Sequence, residues 1–192
     1  MTRSLTLKCI ILAAGASRRL GEPKALIEKD GIPLIRWLVN RLESKGLEPI
    51  IVTRQELMLD IALCCPERTI VVNPNPDAGR TGSIRCGIIH INSESKVKRY
   101  RLLMVPVDRP AFGDETLSLI MNEERCCVPS KDGRGGHPIM LTSNEIDKIL
   151  AEENPDAPLR EIVNPKYLEV NDENLHLNID LPSDIEKWRS IP

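Results

Sequence analysis

The residues best suited to chemistry stand near the start of the chain, in Leu12-Ala-Ala-Gly-Ala-Ser-Arg-Arg-Leu-Gly-Glu-Pro-Lys24. The apolar run before them, Leu7-Lys-Cys-Ile-Ile-Leu12, reads as a buried strand. A strand that opens into small residues and then into cations is suited to an anion. The small side chains of Ala13, Ala14, Gly15 and Ala16 leave backbone amides within reach of a ligand, and Arg18, Arg19 and Lys24 meet its charge. Spacing excludes two familiar phosphate loops. A dinucleotide fingerprint needs three glycines at fixed intervals, which Gly15 and Gly21 do not supply, and this disfavours a nicotinamide-dependent dehydrogenase. A P-loop has four residues between its glycines and ends in Gly-Lys-Ser/Thr; here five residues separate the glycines, and Lys24 follows three positions later.

Two carboxylates extend the picture. Asp108 ends the apolar run Leu102-Leu-Met-Val-Pro-Val107, which reads as a strand in the middle of a sheet. Ligands of α/β sheets gather beyond the carboxyl ends of strands. A carboxylate there suits Mg2+, which takes one or two protein carboxylates together with phosphate oxygens; capping the next turn is the alternative role. Asp180 is the candidate second ligand. It also precedes a helix expected from Pro182, where the positive helix end favours an acidic residue, so a capping role stays open.

These residues need strands and helices to position them. The expected strands cover about 5 to 13, 49 to 52, 69 to 72, 101 to 107, 125 to 129 and 138 to 141, with two short ones at 167 to 170 and 175 to 179. Helices are expected over 33 to 45, 56 to 64, 81 to 91, 114 to 122, 143 to 153 and 159 to 163, and from 182 onward. Alternation of this kind predicts a three-layer α/β/α sandwich around a mostly parallel, Rossmann-like sheet, in one domain over 1 to 192.

Bulk properties narrow the partners. A net charge of −2 gives no general attraction to nucleic acid or anionic membrane, so an anion site must be local. The few aromatic residues argue against a base-stacking platform for single strands. The basic stretch Lys96-Val-Lys-Arg-Tyr-Arg101 reads as a solvated approach to a sheet edge. No apolar run approaches the ~20 residues of a membrane span, and the N-terminus lacks the order of a signal peptide, so a cytoplasmic protein is expected. The six cysteines, two pairs of them adjacent, read as reduced and buried thiols.

The opening loop resembles the signature of the small nucleotidyltransferases that make molybdenum cofactor dinucleotides, matching at Leu12, Ala13, Ala14, Gly15, Arg19, Gly21 and Lys24, with Leu20 in place of methionine. Later stretches resemble the same family in the same order. They are Gly79-Arg-Thr-Gly-Ser-Ile-Arg-Cys-Gly87, Val107-Asp-Arg-Pro110, Gly136-His-Pro138 and Asn178-Ile-Asp-Leu-Pro182. Arg109 stands where the family often has glutamine, and Leu181 where it usually has threonine. Asp156-Ala-Pro-Leu-Arg160 resembles a family motif near the pterin side, with proline replacing its glycine.

The resemblance implies the nucleotidyltransferase fold of the nucleotide-diphospho-sugar transferases. The implied reaction is attack of a phosphate monoester on the α-phosphorus of a nucleoside triphosphate, with release of pyrophosphate. Lys24, Arg19 and Asp108 would be catalytic. Leu12, Ala13, Ala14, Gly15, Arg18, Lys24, Asn73, Ser83 and Asp108 would bind nucleotide, and Asp108 and Asp180 would hold Mg2+, with Asn178 beside them. Ser83 is read as a triphosphate contact, a helix cap or both, and Asn73 as a contact to ribose or base. His137 is expected to position substrate or shape a turn, because a phosphate monoester is already ionised at neutral pH. Ala14 points to CTP, the molybdenum cofactor to the acceptor, and a molybdenum hydroxylase to a client. The rival readings are a GTP-using enzyme, a transferase with another phosphate acceptor, and a non-catalytic carrier that delivers the cofactor.

Overall fold

Leu7–Ala13 forms β1, whose nearly continuous apolar sequence is that of a strand covered on both faces. The computed structural model describes residues 5–95 and 99–191. A short hairpin follows, β2 (Glu28–Lys29) and β3 (Ile32–Pro33), and leads into α1 (Leu34–Glu43), which stops at Gly46 with φ +77°. Then come β4 (Pro49–Thr53), α2 (Met58–Cys64), β5 (Ile70–Val72) and α3 (Arg80–Glu94). β6 (Arg101–Pro106) is buried along its whole length and precedes α4 (Asp114–Asn122). The last part contains β7 (Cys127–Lys131), β8 (Arg134–Gly135), β9 (Ile139–Leu141), α5 (Ser143–Ala151), α6 (Leu159–Ile162), β10 (Lys166–Glu169) and α7 (Pro182–Ser190).

The main sheet runs in the order β10-β7-β9-β6-β1-β4-β5, with β8 paired to β7. Pairing is parallel from β6 through β1 and β4 to β5, and between β7 and β10, while β9 runs against both β6 and β7. Successive residues of β1 serve opposite faces, as the period of two requires. Cys9 and Ile11 pack with Leu38 of α1, Ile61 of α2, Leu117 of α4 and Trp188 of α7. Ile10 and Leu12 pack with Ile84 and Ile88 of α3 and Ile149 of α5. The expected three-layer α/β sandwich is therefore present.

Two sequence expectations fail here. Residues 175 to 179 form no strand: Leu175 N–H donates to Asp172 C=O (3.3 Å) and Leu177 N–H to Asn174 C=O (3.0 Å), so the backbone coils instead of pairing. Leu175 and Ile179 are nevertheless buried, which accounts for the strand-like alternation. Arg101 is likewise no solvated cation; it is buried, and its guanidinium caps the backbone carbonyls of Met121 and Glu123. Residues 96 to 98 of the same basic stretch lie outside the described residues.

All six cysteines are free; Cys9, Cys65 and Cys127 are buried, whereas Cys64, Cys86 and Cys126 are only partly so. Burial pushes the thiols of Cys65 and Cys127 up to about 11, which argues against a thiolate nucleophile at either. No helix among the described residues is long and apolar enough to cross a membrane.

One glycine holds the site-forming end of α3 in place. Gly79, its N-cap, has φ +131° and ψ 166°, a region open essentially to glycine alone. A Cβ there would lie 2.5 Å from both the Cα of Asp156 and the carbonyl oxygen of Pro155. Gly79→Ala should therefore lower the urea unfolding free energy by at least about 2 kcal/mol. An alanine variant as stable as the wild type would contradict the close approach.

Candidate active site

The loop after β1 is shaped by its own short-range bonds. Leu20 N–H donates to Ser17 C=O (3.1 Å), and Lys24 N–H donates to Ser17 Oγ (3.0 Å). Ser17 at φ +50° and Gly21 at φ +76° turn the chain back on itself, so that Lys24 returns to the end of the strand. Val107 N–H donates to Leu12 C=O (3.0 Å), which sets Asp108 beside this loop at the carboxyl end of the neighbouring strand. Ile179 N–H donates to Asp108 C=O (2.9 Å) and delivers Asp180 from the far end of the chain. Three distant segments thus converge.

Lys24 stands at the convergence. Its Nζ lies 2.6 Å from Asp180 Oδ1 and 3.4 Å from Asp108 Oδ2, with a side chain only 14% exposed. Asp180 Oδ2 also accepts from Asn178 Nδ2 (2.5 Å) and lies 3.3 Å from Arg19 Nη2. The capping alternative for Asp180 is overturned. Asp184 caps α7, its Oδ2 accepting from the backbone N–H groups of Asp180 (3.1 Å) and Leu181 (2.8 Å), so the Asp180 carboxylate is turned to the site. Partial burial works to raise the Asp180 pKa, but hydrogen bonding and charge from Lys24, with Arg19 and Arg109 beyond, outweigh it and hold the group below the usual aspartate range.

The cleft at this strand end, of about 190 Å3, is walled by Leu12, Ala13, Ala14, Gly15, Lys24, Ser83 and Asp108. Nothing lies within 4 Å of the position a Cβ on Gly15 would take, so its backbone faces open space. A contiguous cleft of about 360 Å3 adds Arg18, Arg19, Arg109, Asn178 and Asp180. Arg18 is 81% exposed, its closest ionic partner being Asp77 at 3.8 Å. Asn73 is not on the wall. It is buried, its Nδ2 donates to Ser83 Oγ (2.9 Å) and its Oδ1 accepts from Asn75 N–H (2.9 Å), so it braces Ser83. Ser83 in turn is no cap: α3 starts at Arg80, and Ser83 sits one turn inside it, facing the cleft.

A third cleft, of about 720 Å3, joins the others at Arg80 and includes His137, Asp156, Arg160 and Tyr167. The proline at 158 leaves both Asp156 and Arg160 on its wall. Burial first, then the charges of Arg109 and Arg80, push His137 down to about 3, and its Nδ1 has no partner among the described residues. The ring is therefore neutral at physiological pH, which bars it from donating a proton as an imidazolium.

Ser17, Leu57, Pro76 and Arg80 line the site without having been singled out from sequence. Arg80 lies inside the glycine-rich stretch that opens α3 and was findable there; Leu57 and Pro76 carry no local signal.

The residues present fit a divalent cation. Asp108 and Asp180 each direct an oxygen at one point, now held by the Lys24 ammonium, and beside them Asn178 Oδ1 is a buried acceptor without a donor among the described residues. No group of three or more His, Cys, Asp or Glu residues forms a metal cage among the described residues. Two carboxylates are a donor set that a divalent cation can share with water and phosphate oxygens.

The charge balance has a measurable consequence. A carboxyl held below its ordinary value of about 3.9 contributes stability that is present above that pH and lost as pH falls through the depressed value. Removing the ammonium in Lys24→Met should raise the Asp180 pKa toward or past about 3.9, read by carbon NMR titration of the side chain. An unchanged Asp180 titration would contradict the pairing.

The chain is similar to several known proteins. A curated molybdenum cofactor guanylyltransferase of Xanthomonas euvesicatoria is 27% identical over 124 residues, a match spanning 64% of this chain and 58% of that relative. A probable molybdenum cofactor guanylyltransferase of Bacillus licheniformis is 24% identical over 93% of this chain and 94% of its own. Among solved structures, Rv0371c from Mycobacterium tuberculosis superposes with a TM-score of 0.78 at 17% identity, covering 98% of this chain and 100% of that one. That protein has also been solved in complex with manganese. Residues 9–170 match the MobA-like NTP transferase domain, and the chain belongs to that family of nucleotidyltransferases.

Proposed function

We propose that the protein transfers a nucleoside monophosphate from a nucleoside triphosphate to the phosphate of the molybdenum cofactor, releasing pyrophosphate. The observation that carries this reading is the meeting of Lys24, Asp108 and Asp180 at the end of the anion loop. Such a transfer depends on alignment and charge neutralisation rather than on covalent catalysis. The backbone of Gly15 and Ala16 receives the triphosphate, while Lys24, Arg19 and Arg18 balance its charge. Asp108 and Asp180 hold Mg2+, which when bound neutralises phosphate charge in the transition state. Ser83, braced by Asn73, contacts the triphosphate from the first turns of α3. The acceptor lies in the larger cleft beyond Arg80, where the neutral His137 ring and the Asp156–Arg160 wall orient it. Its phosphate arrives already ionised, so no residue need remove a proton from it.

We assign CTP as the nucleotide, and a molybdenum hydroxylase as the client that receives the product in the cytoplasm. Ala14, on the cleft wall, supports CTP because its methyl group narrows the space beside the strand end. The names of the two curated relatives favour a second reading, in which GTP is used.

Pyrophosphate release should be measured with each of the four nucleoside triphosphates and Mg2+, with and without molybdenum cofactor. Release should require the cofactor and be fastest with CTP. GTP-dependent release would replace the nucleotide assignment, and no release with any nucleotide would overturn the activity. Asp108→Asn should slow release roughly 100-fold or more. Cofactor delivery to an apoenzyme that survives Asp108→Asn, with no release by the wild type, would instead identify a carrier.

A further inference from the structure

Most of the described arginines have a partner in the fold. Arg36, Arg41, Arg54 and Arg68 each pair with a carboxylate, and Arg101 with backbone carbonyls. By contrast, the guanidinium groups of Arg80, Arg109 and Arg134 make no hydrogen bond or ion pair among the described residues. Arg80 forms part of all three clefts, and Arg109 lines the cleft that also holds Asp108 and Asp180. Arg134 lies on β8, immediately before the Gly135-Gly-His137 wall of the largest cleft.

Arg109 is the most informative of the three because it is only partly exposed. It shares one cleft with Arg80, and the same cleft holds Asp108 and Asp180. Cations that line one cleft without a carboxylate or carbonyl partner oppose each other, and a bound anion is what offsets that repulsion. The triphosphate does not account for this cluster, since Lys24, Arg18, Arg19 and the loop amides already face it. A second anion is called for, at the junction of the nucleotide cleft and the larger one.

We propose that Arg109 and Arg80, flanked by Arg134, form the receptor for the attacking phosphate of the acceptor and select a doubly ionised phosphate monoester over a singly charged or neutral acceptor group. This rests on the transferase reading above and names the residues that define its acceptor. A phosphate monoester carries roughly −1.5 to −2 charge at neutral pH, and its oxygens match the planar fork of a guanidinium. Held by Arg109, the residue after Asp108, the acceptor phosphate sits beside the carboxylates that hold the metal. The cluster thus orients the nucleophile as well as attracting it.

The test uses two inert probes, phenyl phosphate and phenyl sulfate, which share a ring but differ in charge. Their binding is measured by calorimetry at about pH 7.5, where the phosphate is mostly a dianion. A saturating non-hydrolysable CTP analogue occupies the triphosphate site throughout. The wild type should bind phenyl phosphate about tenfold or more tightly than phenyl sulfate. Arg109→Gln and Arg80→Gln should each erase most of that preference, and Arg109→Gln, which is not on the wall of the nucleotide cleft, should leave affinity for the CTP analogue within about twofold. Arg109→Lys should retain part of it, and the exposed Arg125→Gln should change nothing. Equal binding of the two probes by the wild type, or unchanged phenyl phosphate affinity in both glutamine variants, would overturn the proposal. Parallel loss of analogue affinity in Arg109→Gln would overturn it too, by assigning that arginine to the triphosphate. None of these readouts requires turnover, so failure of the anion site is distinguishable from failure of pyrophosphate release.

Discussion

The site depends on one cation held between two carboxylates. Without the Lys24 ammonium, Asp108 and Asp180 would face each other across a partly desolvated cleft, and their repulsion would push the tail of the chain away from the strand end. With it, residues from positions 24, 108 and 180 form one electrostatic unit. The cost of gathering them is offset locally, because Arg19 and Asn178 add further contacts to Asp180. In the proposed reaction the same unit is arranged for exchange. A triphosphate brings negative charge that Lys24 can follow, and the point it leaves is the one at which two carboxylate oxygens are directed.

The fold supplies this unit with a stiff frame. β1 and β6 are adjacent parallel strands buried on both faces, so the loop and Asp108 emerge side by side from the least deformable part of the molecule. Asp180 has no strand to hold it and relies on a single backbone hydrogen bond from Ile179 to Asp108, reinforced by burial of Leu175 and Ile179 and by the Asp184 cap on α7. Helix α3 brings Arg80 and Ser83 to the opposite wall, and its approach to residues 155 and 156 ties the nucleotide cleft to the larger one.

Much of this was legible in the chain itself. The apolar runs at 7 to 12 and 102 to 107 are too continuous for surface strands, and the small residues and cations after the first announce an anion loop. Other features depend on distant partners. Asp180 reads equally as a cap or a ligand until Asp184 is seen to take the capping role, and Leu181 removes the usual Ser/Thr signal of a capping box. The alternating Leu175, Leu177 and Ile179 imitate a strand because burial at every second position is not unique to strands. Asn73 looks like a ligand contact from its place after β5, yet its amide is spent on Ser83 and Asn75. The unpaired arginines are invisible in sequence, because what marks them is the lack of a partner in space.

Lys24 occupies, in the free protein, the point where oxygens of Asp108 and Asp180 converge, which is the place proposed for a divalent cation. Titration of Mn2+ without nucleotide, followed by the electron paramagnetic resonance of the free ion, tests it most directly in wild type and Lys24→Met. Lys24→Met should bind Mn2+ about tenfold or more tightly than the wild type, and adding Asp108→Asn should abolish the gain. Equal Mn2+ affinity in wild type and Lys24→Met would contradict it.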